Sequence, residues 1–352
     1  MSIKKKFLSL AKAANVHRNF YLKEKNSRLR TNFVKRIKWM SKGFLSESEY
    51  IYNLNTNDYK DYLSDRSRYK TMYLNSPYSF ILKDKVVFEA MYKYHFKVPI
   101  SYAFISKGKI SSLDSKHSIK TISDIFSFLE ENQACVFKPA RGDGGKGIFI
   151  LKRIEKKYYL NSSEVLPQQI EELVYSMDDY FMSEYLIQGE FANAFYPSTT
   201  NTLRIVTMVD EETQEAFIPI AVQRIGNSKS SPVDNWTAGG LNARINLETG
   251  ELGKGVSFPF NEKLMWYDKH PESGEQIEGK VIPMWNEIKK GILRAASSYP
   301  YIKYVGWDVV LLDKGFAILE GNNVPDVNLL QVHTPLLKEP KVKKFYKQHN
   351  IL

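Results

Sequence analysis

Apolar positions along the chain change period several times, and each change marks a different kind of element. Residues 1 to about 75 are polar, tyrosine-rich and helical in spacing, with Gly43 as their single glycine. From Asp84 onward Val87, Ala90, Met91 and Tyr94 recur at helical spacing, and the run from Pro99 to Ile105 reads as a strand. Ile122 to Leu129 predicts a helix leading into a strand at Cys135 to Lys138, and Gly147 to Leu151 predicts a second strand. Ile170, Leu173, Val174 and Met177 form a helical stripe ahead of a strand over Met182 to Ile187. Several strands follow between residues 202 and 252. An amphipathic helix is expected over residues 281 to 298, then a hairpin from Trp307 to Gly321. No internal repeat or low-complexity segment interrupts this order. The pattern predicts an α+β chain in four parts: a helical basic region at 1–75, a linking α/β region at 76–130, a small subdomain at 131–188 and a larger one at 189–352.

Composition narrows the class. The 352 residues, 43% hydrophobic and 13% aromatic, are enough to bury a core of two or three domain-sized units. The one cysteine, Cys135, permits neither an intrachain disulfide nor a cysteine-rich zinc site, and fits a reducing, cytoplasmic setting. No stretch reaches the roughly 18 to 20 apolar residues that span a bilayer, and the run from Phe7 to Ala11 is cut by Lys12.

The formal charge of +11 is concentrated at one end. Residues 1–40 hold twelve Lys and Arg against one acid, Glu24, so the remaining chain is formally neutral. Two readings stay open: a solvated face of helices packed on the body, or peripheral contact with an anionic membrane at its inner face or with an acidic partner. Nucleic acid is not the expected partner.

Two segments carry chemistry. Lys138-Pro139-Ala140-Arg141-Gly142-Asp143-Gly144-Gly145-Lys146-Gly147 places four glycines in six residues between two apolar strands. Glycine lets consecutive backbone N–H groups face a ligand closely, and Lys138, Arg141 and Lys146 add charge suited to polyphosphate. The GxxxxGK[ST] pattern is absent and no helix follows, which argues against a P-loop; GxGxxG between strand and helix is absent too. A flexible hairpin loop is the alternative.

In the second segment, an Asp313-Lys314-Gly315 turn pairs Leu312 with Phe316 and sets Asp308 opposite Glu320, with Asn322 on the same face. Opposed carboxylates repel unless a cation lies between them. Two carboxylates and an amide oxygen suit Mg²⁺. Slippage by one residue would place Asp308 opposite Gly321 instead.

With both segments in view, the chain resembles the ATP-grasp superfamily, and within it the sugar-transfer-associated family of polysaccharide biosynthesis, over residues 75 to 338. The resemblance rests on Asp84-Lys85, Lys138-Pro139 with the glycine-rich loop, Ser183 to Glu190, Asn201-Thr202-Leu203-Arg204-Ile205, Gly239-Gly240, Gly306-Trp307-Asp308 and Glu320-Gly321-Asn322. It implies two α/β subdomains clasping ATP, with a helical basic extension at the amino terminus. It also implies that Lys85 and Lys138 contact the nucleotide phosphates, with Arg141, Gly144, Gly145, Lys146 and Gly147 closing over them. Glu184, Tyr185, Leu186 and Ile187 would form the adenine-reading hinge, with Glu190 at the ribose. Asp308, Glu320 and Asn322 would hold Mg²⁺, and Arg204 with Lys138 would neutralise the transferring phosphoryl group. The plain alternatives are an exposed Lys85, edge-strand acids at Glu184 and Glu190, and an Arg204 paired with a carboxylate.

The reaction implied joins a small-molecule carboxylate, free or sugar-linked, to an amine at the expense of ATP. A phosphotransferase is the runner-up. Asn201, Arg204, Gly239, Gly240, Asn242, Arg244 and His270 either line the acceptor pocket or serve as strand connections. No nucleophilic triad is evident, and His270 and His333 have neither metal nor triad spacing.

Overall fold

The computed structural model describes residues 3–27, 29, 31–140 and 147–352. Its amino-terminal region is helical: Ile3–Lys25, Phe33–Ser41, Ser46–Tyr52 and Asp65–Lys70. Asn32 caps the second of these by accepting from Lys35 N, and Ser64 caps the fourth by accepting from Ser67 N, each satisfying an otherwise orphaned donor. This region is tied to the rest of the chain. Tyr52 donates to Asn328 Oδ1 at 2.9 Å, Leu63 N donates to Gln331 Oε1 at 2.7 Å, and Asn75 Nδ2 donates to the Tyr304 carbonyl at 2.7 Å.

Two seven-stranded antiparallel sheets follow. The first comprises β1 (Ser101–Ser106), β2 (Lys109–Ser112), β3 (Ala134–Pro139), β4 (Phe149–Ile154), β5 (Lys157–Leu160), β6 (Ser163–Val165) and β7 (Tyr180–Glu184), in the order β2-β1-β7-β3-β4-β5-β6. Helices Ile122–Asn132 and Pro167–Ser176 supply Ile125, Phe128, Leu129, Ile170 and Val174 to the core under it. The second sheet comprises β8 (Thr202–Val209), β9 (Ala216–Ile225), β10 (Leu241–Ile245), β11 (Leu252–Ser257), β12 (Trp266–Tyr267), β13 (Tyr304–Leu311) and β14 (Phe316–Asn322), in the order β12-β11-β10-β9-β8-β13-β14.

The two faces of this second sheet differ. On one, Leu203, Ile205, Trp307 and Val309 pack with helices Lys85–Tyr92 and Trp285–Ser298. On the other, Val206, Met208, Ile220 and Tyr304 pack with Trp39, Phe44, Ile51, Phe345 and Tyr346 from the two ends of the chain. Even-numbered positions of β8 and β13 share this second face by the period-two rule, so the helical termini cover one part of it and leave Arg204 and Asp308 in the rest.

Two sequence expectations shift by a few residues. The strand expected through Ile187 ends at Glu184, because buried Gln188 turns the chain by donating to the Thr199 carbonyl and accepting from Asn201 N. In the β13–β14 hairpin the pairing nearest the turn is Leu311 with Phe316, one residue short of the expected register. A bulge at Leu319 then restores it, so Asp308 pairs with Glu320 and Gly306 with Asn322.

Candidate active site

Antiparallel register carries the site across the second sheet. Glu320 on β14 lies opposite Asp308 on β13, Asp308 opposite Arg204 on β8, Arg204 opposite Val222 on β9, and Val222 opposite Arg244 on β10. Directly opposed residues point to the same face, so this is one polar row. Its centre is a buried fork: Arg204 donates from Nε to Asp308 Oδ1 at 2.5 Å and from Nη2 to Oδ2 at 3.0 Å. The sequence showed no sign of the second guanidinium there. Arg224 on β9 donates to Asp308 Oδ2 at 3.1 Å and pairs with Asp234 at 2.5 Å, while Asp234 accepts from Thr202 N at 2.8 Å and its hydroxyl at 2.6 Å. Arg224 Nε is buried without a partner among the described residues.

The cation demanded by the opposed carboxylates is therefore supplied to Asp308 by two arginines, which hold its carboxyl below the usual range against the cost of burial. Glu320 stands differently. Among the described residues it has no hydrogen-bond or ion-pair partner, and burial together with the Asp308 charge raises its pKa. Asn322 spends its amide nitrogen on the Gly306 carbonyl at 3.3 Å, which leaves its oxygen available. A free carboxylate, a free amide oxygen and the unused lone pairs of Asp308 make a hard-oxygen donor set, so the residues present fit Mg²⁺.

Two lysines lie near this row, Lys85 on a helix that packs on the second sheet and Lys138 on β3 of the first. Asp84 caps helix Lys85–Tyr92 by accepting from Val86 N and Val87 N at 3.0 Å each, and this fixes Lys85 at the helix start. Its Nζ donates to the Pro139 carbonyl at 3.0 Å, at the end of β3 and just before the glycine-rich segment. Lys138 is half-buried; desolvation first, then the Lys85 charge, lowers its pKa to about 8, against the opposing pull of Glu320, Glu89 and Glu184. Glu184 accepts from Lys97 Nζ at 2.8 Å and from Ile100 N at 3.3 Å. Tyr185 faces Lys152 Nζ at 4.6 Å from its ring centroid, Leu186 is buried, and Ile187 is exposed. Glu190 begins a short helix, with its N–H donating to Asp313 Oδ1 at 2.9 Å. Gly189 is required there, since a Cβ would lie 2.6 Å from the Leu312 carbonyl carbon. Gly147 has φ +73°, and a Cβ would meet the Tyr180 hydroxyl at 2.8 Å. Arg141, Gly144, Gly145 and Lys146 fall outside the described residues.

A family model described as sugar-transfer-associated ATP-grasp matches residues 64–344. The chain belongs to this family. Its α+β architecture, two sheets with a helical amino-terminal region, is thus an ATP-grasp fold. No curated protein matches the sequence. Solved structures similar to this ATP-grasp chain include a D-alanine–D-alanine ligase from Bacillus anthracis at 14% identity, covering 77% of this chain and 69% of that one, TM-score 0.39. A D-alanyl-alanine synthetase A from Vibrio cholerae O1 biovar eltor matches at 11% identity, over 76% and 66%, TM-score 0.41. The ATP-grasp ligase PsnB complexed with minimal precursor matches at 13% identity, over 72% and 55%, TM-score 0.35. The chain thus spans little more than half the length of PsnB, and at these scores the likeness adds nothing to the family membership.

Within this ATP-grasp chain the residues expected to line an acceptor pocket divide into two sets. Asn201 agrees with the reading as a strand connection: its amide donates to the carbonyls of Ala192 and Tyr196 at 2.9 Å each, and its oxygen accepts from Gly226 N at 2.8 Å. His270 does as well. It is buried, its Nε2 lies 3.0 Å from the Gly226 carbonyl, and its Nδ1 accepts from Ser273 N at 3.1 Å. Both residues lock the loops around Gly226. Gly239, at φ +120°, ends a short turn in a conformation that favours glycine, and a Cβ on Gly240 would lie 2.9 Å from the Ile225 carbonyl oxygen, a close backbone approach. Asn242 is fully buried, and its amide nitrogen donates to the Leu329 carbonyl at 2.9 Å and to His333 Nε2. Of this group Arg204 stays in the polar row, and Arg244 is exposed at its far end, beside a cleft of about 550 Å³ lined also by Asn246, Glu248, Glu251 and Glu278.

Proposed function

We propose that this chain is an ADP-forming, Mg-ATP-dependent carboxylate–amine ligase. An acceptor carboxylate oxygen attacks the γ-phosphoryl of ATP in line, the bond to the β-phosphate oxygen breaks, and an acylphosphate and ADP result. An amine then attacks the acyl carbonyl, loses a proton and expels phosphate, leaving an amide. The observation behind this reading is the single polar row of Glu320, Asp308 and Arg204, backed by Arg224 and approached by Lys138 and Lys85.

Such a site suits phosphoryl transfer because the work is positioning and charge stabilisation rather than covalent catalysis. Arg204, fixed at two points by Asp308, meets the transferring group without reorganising. Lys138 supplies a half-buried positive charge, and Lys85, anchored on Pro139, fixes the start of the segment assigned to the triphosphate. Glu320, Asn322 and Asp308 would hold Mg²⁺, which when bound neutralises phosphate oxygens. Glu184 to Ile187 would carry the adenine, and Glu190 the ribose. The family's association with sugar transfer favours a sugar acid as the carboxylate and an amino acid or other amine as its partner, within surface-polysaccharide metabolism.

The test is ADP release screened against pairs of sugar acids and amino acids, with mass analysis of products. Equal yields of ADP, phosphate and a new amide are expected. ADP with a stable phosphorylated product and no free phosphate would make the enzyme a phosphotransferase, and nucleotide turnover in neither mode would overturn the reading.

A further inference from the structure

The most one-sided surface of the molecule lies far from the polar row in sequence. Residues 1–49 hold thirteen Lys and Arg against three acids, Glu24, Glu47 and Glu49. All three acids are buried and face inward. Glu24 pairs with Arg36 at 2.8 Å and accepts from Ser46 N at 2.9 Å, Glu49 pairs with Lys35 at 2.7 Å, and Glu47 lies 3.9 Å from Lys23. The negative charge is thus taken up beneath the helices, and the outward faces carry cations only.

Those same faces are apolar. Helix Ile3–Lys25 packs inward through Val16, Phe20 and Glu24, at intervals of four, and presents Phe7, Leu10, Ala11, Ala14 and Tyr21 outward with Arg18 among them. Helix Phe33–Ser41 buries Trp39 and presents Phe33 (74% exposed), Val34 (75%) and Ile37 (54%) beside Lys38. No acid lies on either outward face. A solvated helix face places charges outermost; here large aliphatic and aromatic side chains are as exposed as the lysines.

We infer that these two helices form a docking surface for an anionic lipid bilayer. Apolar side chains enter the boundary between headgroups and acyl chains while flanking lysines and arginines meet lipid phosphates. A nucleic-acid surface would meet phosphates without needing Val34, Ile37 and Leu10 in water, and a single acidic peptide would leave much of the basic run unmatched. Because residues 44–75 are hydrogen-bonded to Tyr304, Asn323 and Asn328, the docking helices are continuous with the strand that carries Asp308. A docked chain would therefore hold its polar row at the membrane surface.

The experiment is flotation of the full chain, without nucleotide, on vesicles of phosphatidylcholine alone and of phosphatidylcholine with phosphatidylglycerol, so it stands apart from the ligase reading. Binding is expected only with the anionic lipid and should fall steeply between 0.1 and 0.5 M salt, since each basic residue at the surface contributes about fivefold. The combined Phe33→Ser, Val34→Ser and Ile37→Ser variant should weaken binding by about tenfold or more, with an unchanged thermal midpoint because these side chains touch water. Any of three results overturns the inference: no binding to anionic vesicles, equal binding to neutral ones, or anionic binding that the triple variant retains in full. Tighter binding to an RNA oligonucleotide of matched charge overturns it too and makes the surface a polyanion site.

Discussion

The two sheets handle charge in opposite ways. In the second, β8 and β13 are buried at every position, the condition under which strands ordinarily carry only apolar residues. Yet they hold Thr202, Arg204, Thr207 and Asp308, each answered by a partner: Asp234, Asp308, Trp307 and the two arginines. Buried charge is tolerated where pairing is complete, so in this sheet the fold and the candidate chemistry use the same residues. In the first sheet Lys138 has no such answer among the described residues. It feels Lys85 more strongly than any carboxylate, and its charge is correspondingly easier to lose. One sheet fixes charge by pairing it, and the other leaves a cation that an anionic ligand would meet.

The largest effect that tests this contrast comes from separating Asp308 from Glu320. Asp308→Ala leaves the buried Arg204 guanidinium unmatched and Arg224 with Asp234 alone, and should cost roughly 3–5 kcal/mol of stability, read by urea denaturation, along with all ADP formation. Glu320→Ala removes an acid whose burial and repulsion by Asp308 outweigh the pull of Lys85, Arg204 and Lys138. It should leave the unfolding midpoint unchanged or higher while turnover falls on the order of a hundredfold or more. Equal destabilisation by the two variants would break the distinction; near-normal turnover of the Glu320 variant in saturating Mg-ATP would remove it from the metal set. Arg224→Met should have a smaller effect. It strips one guanidinium from Asp308 and the partner of Asp234, so a drop in stability of about 1–3 kcal/mol is expected with Arg204 still holding the fork.

Much of this arrangement was legible because alternation is a strong signal. Two apolar runs around Asp313-Lys314-Gly315 announce a hairpin, and period two places Asp308, Glu320 and Asn322 together. The correct pairing arose from two deviations that cancel, a turn longer by one residue and a bulge at Leu319, and nothing in a run of aliphatic residues marks where a bulge falls. Arg224 and Asp234 escaped notice for another reason: their meaning comes from β9 lying beside β8, a long-range pairing that local pattern does not encode. Asn201 and His270 stayed open between acceptor contact and strand connection because polar residues between motifs read alike in sequence, whether they face a ligand or tie a loop. Only their hydrogen bonds, closed on Gly226, tell the two apart. The charge of the first forty residues was plain from the start, whereas the inward turn of Glu24 needed the helix packing.

The finest test of the contrast between the sheets is pH. Burial disfavours the charged form of Lys138, so its pKa is lowered from the ordinary lysine range to about 8, and the cation is present below that pH and lost above it. Arg204 moves the other way, because Asp308 holds its proton more firmly than burial releases it. The kcat/KM for ATP reports the free enzyme's ionisations. It should therefore hold steady up to about pH 8 and then decline toward tenfold per unit. In Lys138→Arg the replacement charge does not titrate in this range, and the decline above pH 8 should vanish even if the plateau is lower. An identical decline in both proteins would assign it to another group and take from the first sheet its removable charge.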